Sequence, residues 1–376
     1  MRIAVYGATG FTGGLVVAEI RRRGMDPVLV GRDETRLRAA ADTAGATGAE
    51  LRVAGLDHTS ALAAAFDGCA AVANCAGPFT LWGEPVVQAA IAARCHYVDT
   101  AGEQHYIHHI LDEYGEPAAR AGVTVVPAMA DDGGPGDLIA HLAAAPLTAV
   151  DDLVIADLRL PGSSSRGTAR SMASVFAEGA LEYNDGAWRP AAVSPQSPIT
   201  PPGEPDPVPV ETFALPGVVT IPRHVRARRV RSAIRSEVAA LFTALTPDIV
   251  ETIPTTVDEE ARRAGRWLML AEATAPDGTR SRGWVTGTDG YRLTAVIAVE
   301  AARRLATGRQ PHGALTPAQA FDPTSFLDFL TGDEVTWKTE TTTPRGAMAV
   351  AARAKIPGPR KVESPSPTKH LSDQDG

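Results

Sequence analysis

The chain has 376 residues, enough for about two domains, and its 44% hydrophobic and 21% charged residues are typical of a globular protein. A formal net charge of −8 argues against nucleic acid as a general partner. A strand is expected from residue 2, so no signal peptide is predicted, and no apolar run reaches membrane-spanning length. Because Cys69, Cys75 and Cys95 fit neither a disulfide framework nor a zinc site, we expect a cytoplasmic location and no metal.

The first predicted elements are a strand, a glycine-spaced turn and a helix. Residues 2–6 are typical of a buried strand, and residues 15–20 of a helix. Between them Gly7 permits a tight turn, Gly10 lets phosphates approach the backbone, and Gly13 lets the helix pack on the strand. The unpaired N–H groups at the start of the helix favour a bound diphosphate. We therefore predict cofactor contacts along the whole turn: Gly7, Ala8, Thr9, Gly10, Phe11, Thr12 and Gly13.

The end of the second predicted strand, residues 27–30, indicates which nucleotide binds. NAD enzymes place a carboxylate here to bind the ribose 2′-OH, whereas this chain has Arg32. A guanidinium pairs with a 2′-phosphate through two parallel hydrogen bonds, and Arg36 adds a second charge one turn later. Asp33 is expected to cap the helix over residues 34–41. The pattern predicts NADP(H), and the alternative is that Arg32 is only a solvated surface charge.

The rest of the first domain alternates strands with helices. Strands are expected at residues 51–54, 71–74, 97–99 and 123–126, and helices at 61–66, capped by Ser60, at 84–93 and at 105–121. This alternation predicts a parallel sheet covered on both faces, with ligands at the carboxyl ends of its strands. Asp57 is expected near the adenine, and residues 77–79 beneath the nicotinamide. The cofactor-contact candidates at these strand ends are Arg32, Arg36, Asp57, Cys75, Ala76, Gly77, Pro78 and Phe79.

After residue 137 the pattern changes to that of a second domain. We expect a strand at 154–160, a helix at 168–178, and a hairpin of strands 267–274 and 280–286 joined by Pro276-Asp277-Gly278. Residues 190–209 contain eight prolines and are predicted to form a loop or flap. A helix is expected at 291–305, and a second one begins with a capping box at residues 316–319.

These elements predict an α/β fold with two domains. Residues 1–135 with about 290–335 would form a Rossmann-type, doubly wound parallel sheet that binds NADP. Residues 136–289 would form an α+β substrate domain. Residues 355–376, rich in Pro, Ser and charge, are expected to be a disordered tail.

Three blocks of sequence resemble those of the saccharopine-dehydrogenase-like reductases, and among them the trans-acting enoyl reductases. They are residues 7–13 with Gly31-Arg32; residues 74–79, 83–87 and 96–103; and residues 132–138, similar to the family's Asp-Ser-Val-Pro-Ser-Asp-Leu. The resemblance is specific over the first 140 residues and implies an NADP-binding Rossmann domain followed by a substrate domain. Gly133 and Gly134 replace a serine and a valine of the family, so the substrate's shape is not carried over. Members of the family reduce C=C or C=N bonds.

The protein must position a hydride acceptor and supply a proton near the nicotinamide. Candidate proton donors at these strand ends are His96, Tyr97, Asp99, Tyr106 and Asp132. We favour Asp132, Tyr97 and Asp99 as catalytic residues without assigning the acid. Each has a structural alternative: a core aromatic for Tyr97, a capping carboxylate for Asp99 and turn conformation for Asp132.

Two further clusters have a structural and a functional interpretation. His105, His108 and His109 have helical spacing, which is typical of a solvated face more often than of a metal site. A stretch of five arginines is either a solvated strand or an anion site for a substrate carboxylate, a phosphopantetheine or an acidic carrier protein. These five are Arg223, Arg226, Arg228, Arg229 and Arg231.

The sequence therefore predicts an NADPH-dependent reductase of a small biosynthetic intermediate, free or carrier-bound. Reduction of an enoyl C=C bond is the leading hypothesis, and reduction of an imine, as in saccharopine-type dehydrogenases, is the second. A third is a non-catalytic NADP-binding sensor or assembly protein. The glycines at 133, 134 and 136 are expected to leave open space beside the nicotinamide, which would favour an enzyme. Homo-oligomerisation is left open.

Overall fold

A computed structural model describes residues 1–343 apart from residue 193, together with residues 348–349. The first half of the chain alternates strands and helices. Its elements are β1 (Arg2–Tyr6), α1 (Phe11–Arg22), β2 (Asp26–Gly31), α2 (Glu34–Thr43), β3 (Glu50–Val53), α3 (Thr59–Phe66), β4 (Ala71–Asn74), α4 (Phe79–Ala92), β5 (His96–Asp99), α5 (Gln104–Glu113), α6 (Gly115–Ala121), β6 (Thr124–Val126) and α7 (Gly134–Ala144).

The second half is richer in antiparallel strands. Its elements are β7 (Val150–Asp157), α8 (Arg166–Glu178), β8 (Leu181–Asn184), β9 (Ala187–Pro190), β10 (Pro195–Ile199), β11 (Val208–Thr212), α9 (Gly217–Thr220), a 3₁₀ turn (Ile221–Arg223), β12 (Ala227–Arg235), α10 (Ser236–Thr243), α11 (Pro247–Thr252), α12 (Glu259–Ala264), β13 (Arg266–Thr274), β14 (Arg280–Thr288), α13 (Gly290–Thr307), β15 (Gly313–Ala314), α14 (Pro317–Ala320), α15 (Pro323–Leu330), a second 3₁₀ turn (Thr331–Asp333), β16 (Thr336–Thr342) and β17 (Met348–Ala349).

The first sheet has seven parallel strands in the order β15-β6-β5-β4-β1-β2-β3. Alternate residues of β1 face opposite apolar clusters, with Ile3 and Val5 on one side and Ala4 and Tyr6 on the other. This is why the strand is an unbroken apolar run. The order reverses between β1 and β4, which places a ligand-binding crevice at the carboxyl ends of these two strands. The expected Rossmann-type parallel sheet is confirmed.

The second sheet is mixed and has ten strands, eight of them in the order β10-β11-β12-β7-β13-β14-β16-β17. Strand β8 pairs with β12 and with β9. The β7 and β12 strands are parallel, and the predicted hairpin of β13 and β14 is antiparallel as expected. Helix α7 packs across β13 and β14, while α13 returns to pack against α1, β4 and β5. These two helices lie between the sheets.

Several expected elements differ from the observed ones. Part of the proline-rich segment is a hairpin, not a loop or flap: β10 and β11 pair at the edge of the second sheet, and an edge strand tolerates proline. The helix expected at 105–121 is interrupted at Tyr114. Ser60 does not cap α3, because His58 occupies the N-cap position. The strand expected at 154–160 spans Val150–Asp157. The tail at 355–376 lies outside the described residues.

Candidate functional site

The glycine turn between β1 and α1 is packed too closely for side chains at two of its three glycines. Gly7 has φ +81°, and a Cβ there would lie 2.9 Å from the Ala76 backbone nitrogen. A Cβ at Gly13 would collide with the Gly7 carbonyl oxygen. The turn therefore packs directly against the loop that follows β4, across the point where the strand order reverses.

The N-terminus of α1 fits a diphosphate. Gly10 is its N-cap residue and has no side chain to accept a hydrogen bond from the N–H groups of the first turn. Orphan N–H groups at a helix start, together with the helix dipole, are a ready-made site for phosphate oxygens. Phe11 and Thr12 open this helix and bring their backbone N–H groups to the crevice.

Arg32 is exposed and lies directly beyond the end of β2. A Cβ placed on Gly55 would lie 3.6 Å from the Arg32 Cγ and 3.8 Å from an Asp57 carboxylate oxygen, so these two side chains are neighbours. Within the described residues, neither Arg32 nor Arg36 has a carboxylate partner within ion-pair distance. Asp33 caps α2 by accepting a hydrogen bond from the Arg36 backbone N–H at 3.0 Å, as expected.

The loop from Cys75 to Phe79 is held by two buried side chains. The Asn74 amide oxygen accepts from the Ala76 N–H at 3.0 Å, and Glu103 accepts from the Phe79 N–H at 3.0 Å. Helix α4 begins at Phe79, five residues before the predicted start at residue 84. Burial raises the pKa of the Cys75 thiol to about 12, so this cysteine stays a thiol at neutral pH.

Helix α8 of the second half covers this loop. A Cβ on Gly77 would lie 2.7 Å from the Ser171 Oγ, so the loop passes directly under the helix. At its N-terminus, the Thr168 hydroxyl lies 2.8 Å from the Tyr291 hydroxyl, and Tyr291 packs edge-on against Phe11 at 5.1 Å between ring centroids. The cofactor crevice is thus bordered by residues from both halves of the chain.

Tyr97 and Asp99 do not reach the crevice. Both side chains are 0% exposed. Asp99 accepts hydrogen bonds from the hydroxyls of Tyr97 and Tyr106 at 3.0 and 2.8 Å, and from the Ala128 N–H at 2.8 Å. Burial raises the pKa of Asp99 against the effect of these bonds. The expected catalytic contact is not supported for either residue, and we infer that they fix the loops after β5 and β6.

His96 is also remote from the crevice. It begins β5, at the edge of the sheet opposite the glycine turn, and its Nδ1 accepts from the Thr124 N–H at 3.1 Å. Burial lowers its pKa. The fourth candidate, Tyr106, belongs to the Asp99 network and is buried. Of the five candidate proton donors, Asp132 is left.

Asp132 lies at the carboxyl edge of the first sheet, in the turn between β6 and α7. A Cβ on Gly102, in the loop after β5, would lie 3.2 Å from its carboxylate. Burial, and then the negative charge of Asp131, raises the pKa of Asp132 to about 7, while Arg159 opposes the shift. A carboxyl group that titrates near neutral pH can hold and release a proton under physiological conditions.

Three residues around Asp132 were not singled out from the sequence. Arg159 follows β7 and donates to Asp157 at 2.6 Å, and its Nη2 lies 3.4 Å from Asp131. Asp131 is itself held by the Thr294 hydroxyl of α13 at 3.2 Å. This group of side chains, called here the Asp132 corner, therefore combines the carboxylates of Asp131, Asp132 and Asp157 with the guanidinium of Arg159. Because these residues come from distant parts of the chain, no local spacing signals the cluster.

The glycines at 133, 134 and 136 do not create open space, contrary to expectation. A Cβ on Gly133 would collide with the Ala128 carbonyl oxygen, and one on Gly134 would lie 3.3 Å from Ile297. A Cβ on Gly136 would meet Met269 at 3.1 Å. These glycines allow the start of α7 to pack between α13 and the second sheet. Their presence therefore does not indicate an open cleft beside the nicotinamide.

The three histidines of α5 lie in a shallow depression of about 380 Å³ on the protein surface. His108 pairs with Asp112 at 2.8 Å and His109 with Glu84 at 3.1 Å, while His105 lies 3.3 Å from the Gly179 carbonyl oxygen. Over the residues that the structure describes, no three His, Cys, Asp or Glu side chains are grouped as a metal would require.

The arginine-rich stretch is largely neutralised by carboxylates. Arg228 pairs with Asp151 at 2.6 Å, and both Arg229 and Arg231 pair with Asp152 at 2.7 and 3.0 Å. Arg223 pairs with Asp112 at 2.6 Å. The interpretation as an anion site is not supported for these four arginines, because their charges already have carboxylate partners on β7 and α5.

Comparison with known proteins finds a family model that matches the first part of the chain. Residues 3–126 match the family model described as the saccharopine dehydrogenase NADP binding domain. This part of the chain is similar to that domain family. The match covers the glycine turn, Arg32 and the loop after β4, and it supports a nicotinamide dinucleotide as the cofactor.

Two curated relatives each match a little over a third of the chain. The trans-acting enoyl reductase of Mycobacterium ulcerans is 33% identical over 143 residues, which is 37% of this chain and 34% of that protein. The saccharopine dehydrogenase-like oxidoreductase of Homo sapiens is 27% identical over 152 residues, 36% of this chain and 35% of that protein. The chain thus matches about a third of the length of each relative.

The saccharopine dehydrogenase (L-Glu forming) of Saccharomyces cerevisiae, solved in its apo form, has a similar fold. It superposes with a TM-score of 0.58 at 15% identity, over 90% of this chain and 99% of the yeast chain. This similarity extends to both sheets and concerns the fold alone. No helix among the described residues is long and apolar enough to cross a membrane.

Proposed function

We propose that this protein is an NADPH-dependent reductase that transfers hydride to an activated double bond of a small biosynthetic intermediate. The observation that carries the proposal is the position of Asp132, a carboxyl group with a pKa of about 7, at the same sheet edge as the dinucleotide turn. Reduction needs both a hydride and a proton, and this edge brings the two sources together.

The chain's own residues have separate tasks in this reaction. A bound NADPH supplies the hydride. The turn from Gly7 to Gly13 holds the diphosphate on the N–H groups of α1, and the loop from Cys75 to Phe79 supports the nicotinamide end. Asp132 delivers the proton to the acceptor. Arg159 keeps the pKa of Asp132 from rising further.

The choice of NADP over NAD rests on Arg32. Its guanidinium is exposed at the end of β2 and has no ion-pair partner among the described residues, so it is available to a 2′-phosphate. Arg36 lies one turn along α2 and adds to the positive field. Asp57 lies beside Arg32, which supports its proposed contact with the adenosine.

Two acceptor classes remain, and each has one supporting observation. Enoyl C=C reduction is supported by the name of the mycobacterial relative, which this chain matches over a third of its length. Imine C=N reduction is supported by the Asp132 corner, where Asp131 and Asp157 favour the positive charge of an iminium. A carrier-bound acyl group is one form that the substrate would take.

The deciding experiment follows NADPH oxidation by the purified protein with enoyl thioesters in one series and with imines formed from an oxo acid and an amine in the other. We expect turnover in one series, and a loss of about a hundredfold or more in Asp132→Asn. Turnover that Asp132→Asn leaves unchanged would remove Asp132 as the acid. NADPH binding with no turnover in either series would favour the non-catalytic sensor or assembly protein.

The nucleotide preference is tested separately by titration. Arg32→Asp should weaken NADPH binding by about tenfold or more and NADH binding far less, because only NADPH has the 2′-phosphate. Arg38→Asp is the matched control: Arg38 is also on α2, but it pairs with Glu34 at 2.6 Å. Equal losses of NADPH and NADH in Arg32→Asp would refute the role.

We also propose a reducing, cytoplasmic location, because Cys69, Cys75 and Cys95 are all free cysteines.

A further inference from the structure

A second-domain arginine reaches the phosphate-binding turn. Arg262, on α12, places its guanidinium carbon 5.8 Å from the centre of the Phe11 ring. Phe11 is the first residue of α1, so its backbone N–H is one of the groups that would receive the diphosphate. Arg262 lies outside the region matched by the NADP-binding domain family, residues 3–126.

The Arg262 guanidinium is held by a hydrogen bond, but one of its N–H groups has no hydrogen-bond partner among the described residues. It is 11% exposed, and its Nη1 donates to Asp289 at 2.6 Å. Its Nε is buried and has no hydrogen-bond partner among the described residues. Leaving a buried guanidinium N–H unpaired costs free energy, and an oxygen-rich anion at the turn would remove that cost.

Asp289 explains how the arginine is kept in place. It is the N-cap residue of α13, where its other carboxylate oxygen accepts from the Arg292 N–H at 3.0 Å. The carboxylate is therefore fixed by the backbone, and through it so is one end of the guanidinium. The same helix carries Tyr291, whose ring packs against Phe11 from a second direction.

We propose that Arg262 is a cofactor-binding residue that pairs with the diphosphate held on the N-terminus of α1. The dinucleotide is then bound by both halves of the chain, and its binding draws α12 and the start of α13 onto the glycine turn. This inference rests on the proposed function, since it requires a dinucleotide in the crevice.

The test is an NADPH titration of the full chain, followed by cofactor fluorescence. Arg262→Gln should weaken NADPH binding by about tenfold or more, the usual effect of losing a charge-assisted hydrogen bond. The matched control is Arg263→Gln on the same helix, because Arg263 is 73% exposed and pairs with Glu259 at 2.6 Å. The control should bind NADPH within about twofold of the wild type.

Two smaller probes separate the diphosphate from the adenosine end. Inorganic pyrophosphate should compete with NADPH in the wild type and much less in Arg262→Gln. Adenosine 2′-monophosphate, which lacks the diphosphate, should compete equally in both proteins and only weakly in Arg32→Asp. Unequal competition by adenosine 2′-monophosphate would place Arg262 elsewhere on the nucleotide and overturn the proposal.

Arg262→Gln leaves Asp289 without its partner, so thermal unfolding of the cofactor-free protein is measured in parallel. Arg262→Lys keeps the charge beside Asp289 and serves if the glutamine variant does not fold; it should still lose several-fold in NADPH affinity, because lysine lacks the planar fork. Normal NADPH binding by either folded variant overturns this inference alone. Absence of NADPH binding by the wild type overturns the proposed function as well.

Discussion

At the scale of single residues, the charges around Asp132 set when it holds a proton. Its neighbour Asp131 raises its pKa and Arg159 lowers it, after the larger effect of burial. An acid must be protonated to act, so kcat/KM should fall as pH rises through about 7. The two neighbours allow this expectation to be tested, because removing the charge of Asp131 and removing the charge of Arg159 must shift the pKa of Asp132 in opposite directions.

Asp131→Asn should move the fall in kcat/KM to lower pH, and Arg159→Gln should move it to higher pH, each by about one unit. The asparagine can still accept from the Thr294 hydroxyl, so the turn is preserved. The measurement is a pH profile of kcat/KM for the organic substrate at saturating NADPH. Shifts in the same direction would show that these residues act through structure and not through the charge on Asp132.

Tyr97 provides the contrasting case of a polar residue that lies in the core. Its hydroxyl bonds to Asp99 at 3.0 Å and accepts from the Asn74 amide at 3.0 Å. Tyr97→Phe should therefore lower the free energy of unfolding by about 1–2 kcal/mol while kcat stays within several-fold of the wild type. Urea unfolding measures the expected loss of stability, and turnover of the same sample measures kcat. A loss in kcat like that of Asp132→Asn, without loss of stability, would restore Tyr97 as a catalytic residue.

At the scale of elements, close helix packing limits where side chains fit. Gly83 lies within α4, and a Cβ there would lie 2.6 Å from the Tyr106 ring carbon that bears the hydroxyl. Gly83→Ala should lower the free energy of unfolding by about 1–3 kcal/mol, since the buried ring cannot move freely. Gly14→Ala, on α1, is the control: nothing lies within 4 Å of its Cβ position, so helix propensity should stabilise the protein slightly.

Urea unfolding of the cofactor-free protein compares the two alanine variants. Gly83→Ala and Gly14→Ala have the same chemical change inside a helix, so intrinsic propensity cancels and the difference reports the contact with Tyr106. Equal stabilities would mean that α4 shifts without cost, and the packing argument would fail.

The elements of the first sheet could be predicted from sequence because their signals are local. The strand β1, the glycine turn and the Asp33 cap each depend on residues a few positions apart. The capping box at Thr316 and Gln319 was predicted for the same reason and is present. Alternating apolar runs were then enough to predict the parallel sheet.

Features that depend on distant partners could not be predicted. Whether the glycines at 133 and 134 face a cleft or a neighbour is decided by Ala128 and Ile297, and no spacing shows that. The proline-rich segment forms β10 because an edge strand needs only one row of hydrogen bonds. Arg262 reaches Phe11 across some 250 residues of sequence, so only the folded chain places it at the crevice.

At the scale of the whole molecule, α13 connects the second half of the chain to α1 near its beginning. Glu300 of α13 is 0% exposed and pairs with Arg23 of the first domain at 2.8 Å, and with Arg303 and Arg304 at 2.8 and 2.7 Å. Burial alone would raise the pKa of Glu300, but the arginines hold it below its ordinary value. One buried carboxylate thus contacts three arginines where α13 meets the end of α1, and Arg23 has a second partner in Glu19 at 2.6 Å.

Glu300→Gln should lower the free energy of unfolding by about 3 kcal/mol at neutral pH, because it removes the paired carboxylate from the largely buried Arg304 and one of the two that pair with Arg23. A lowered pKa stabilises the fold above the unfolded value of about 4.3 and loses that effect as pH falls through the folded value, so the difference from the wild type should shrink below about pH 4. Glu34→Gln is the control, since Glu34 is 61% exposed and its pair with Arg38 should contribute under about 1 kcal/mol. Thermal unfolding at a series of pH values from 7 down to about 3 measures both variants. A pH-independent loss in Glu300→Gln would show that packing, and not its charge, joins α13 to the first domain.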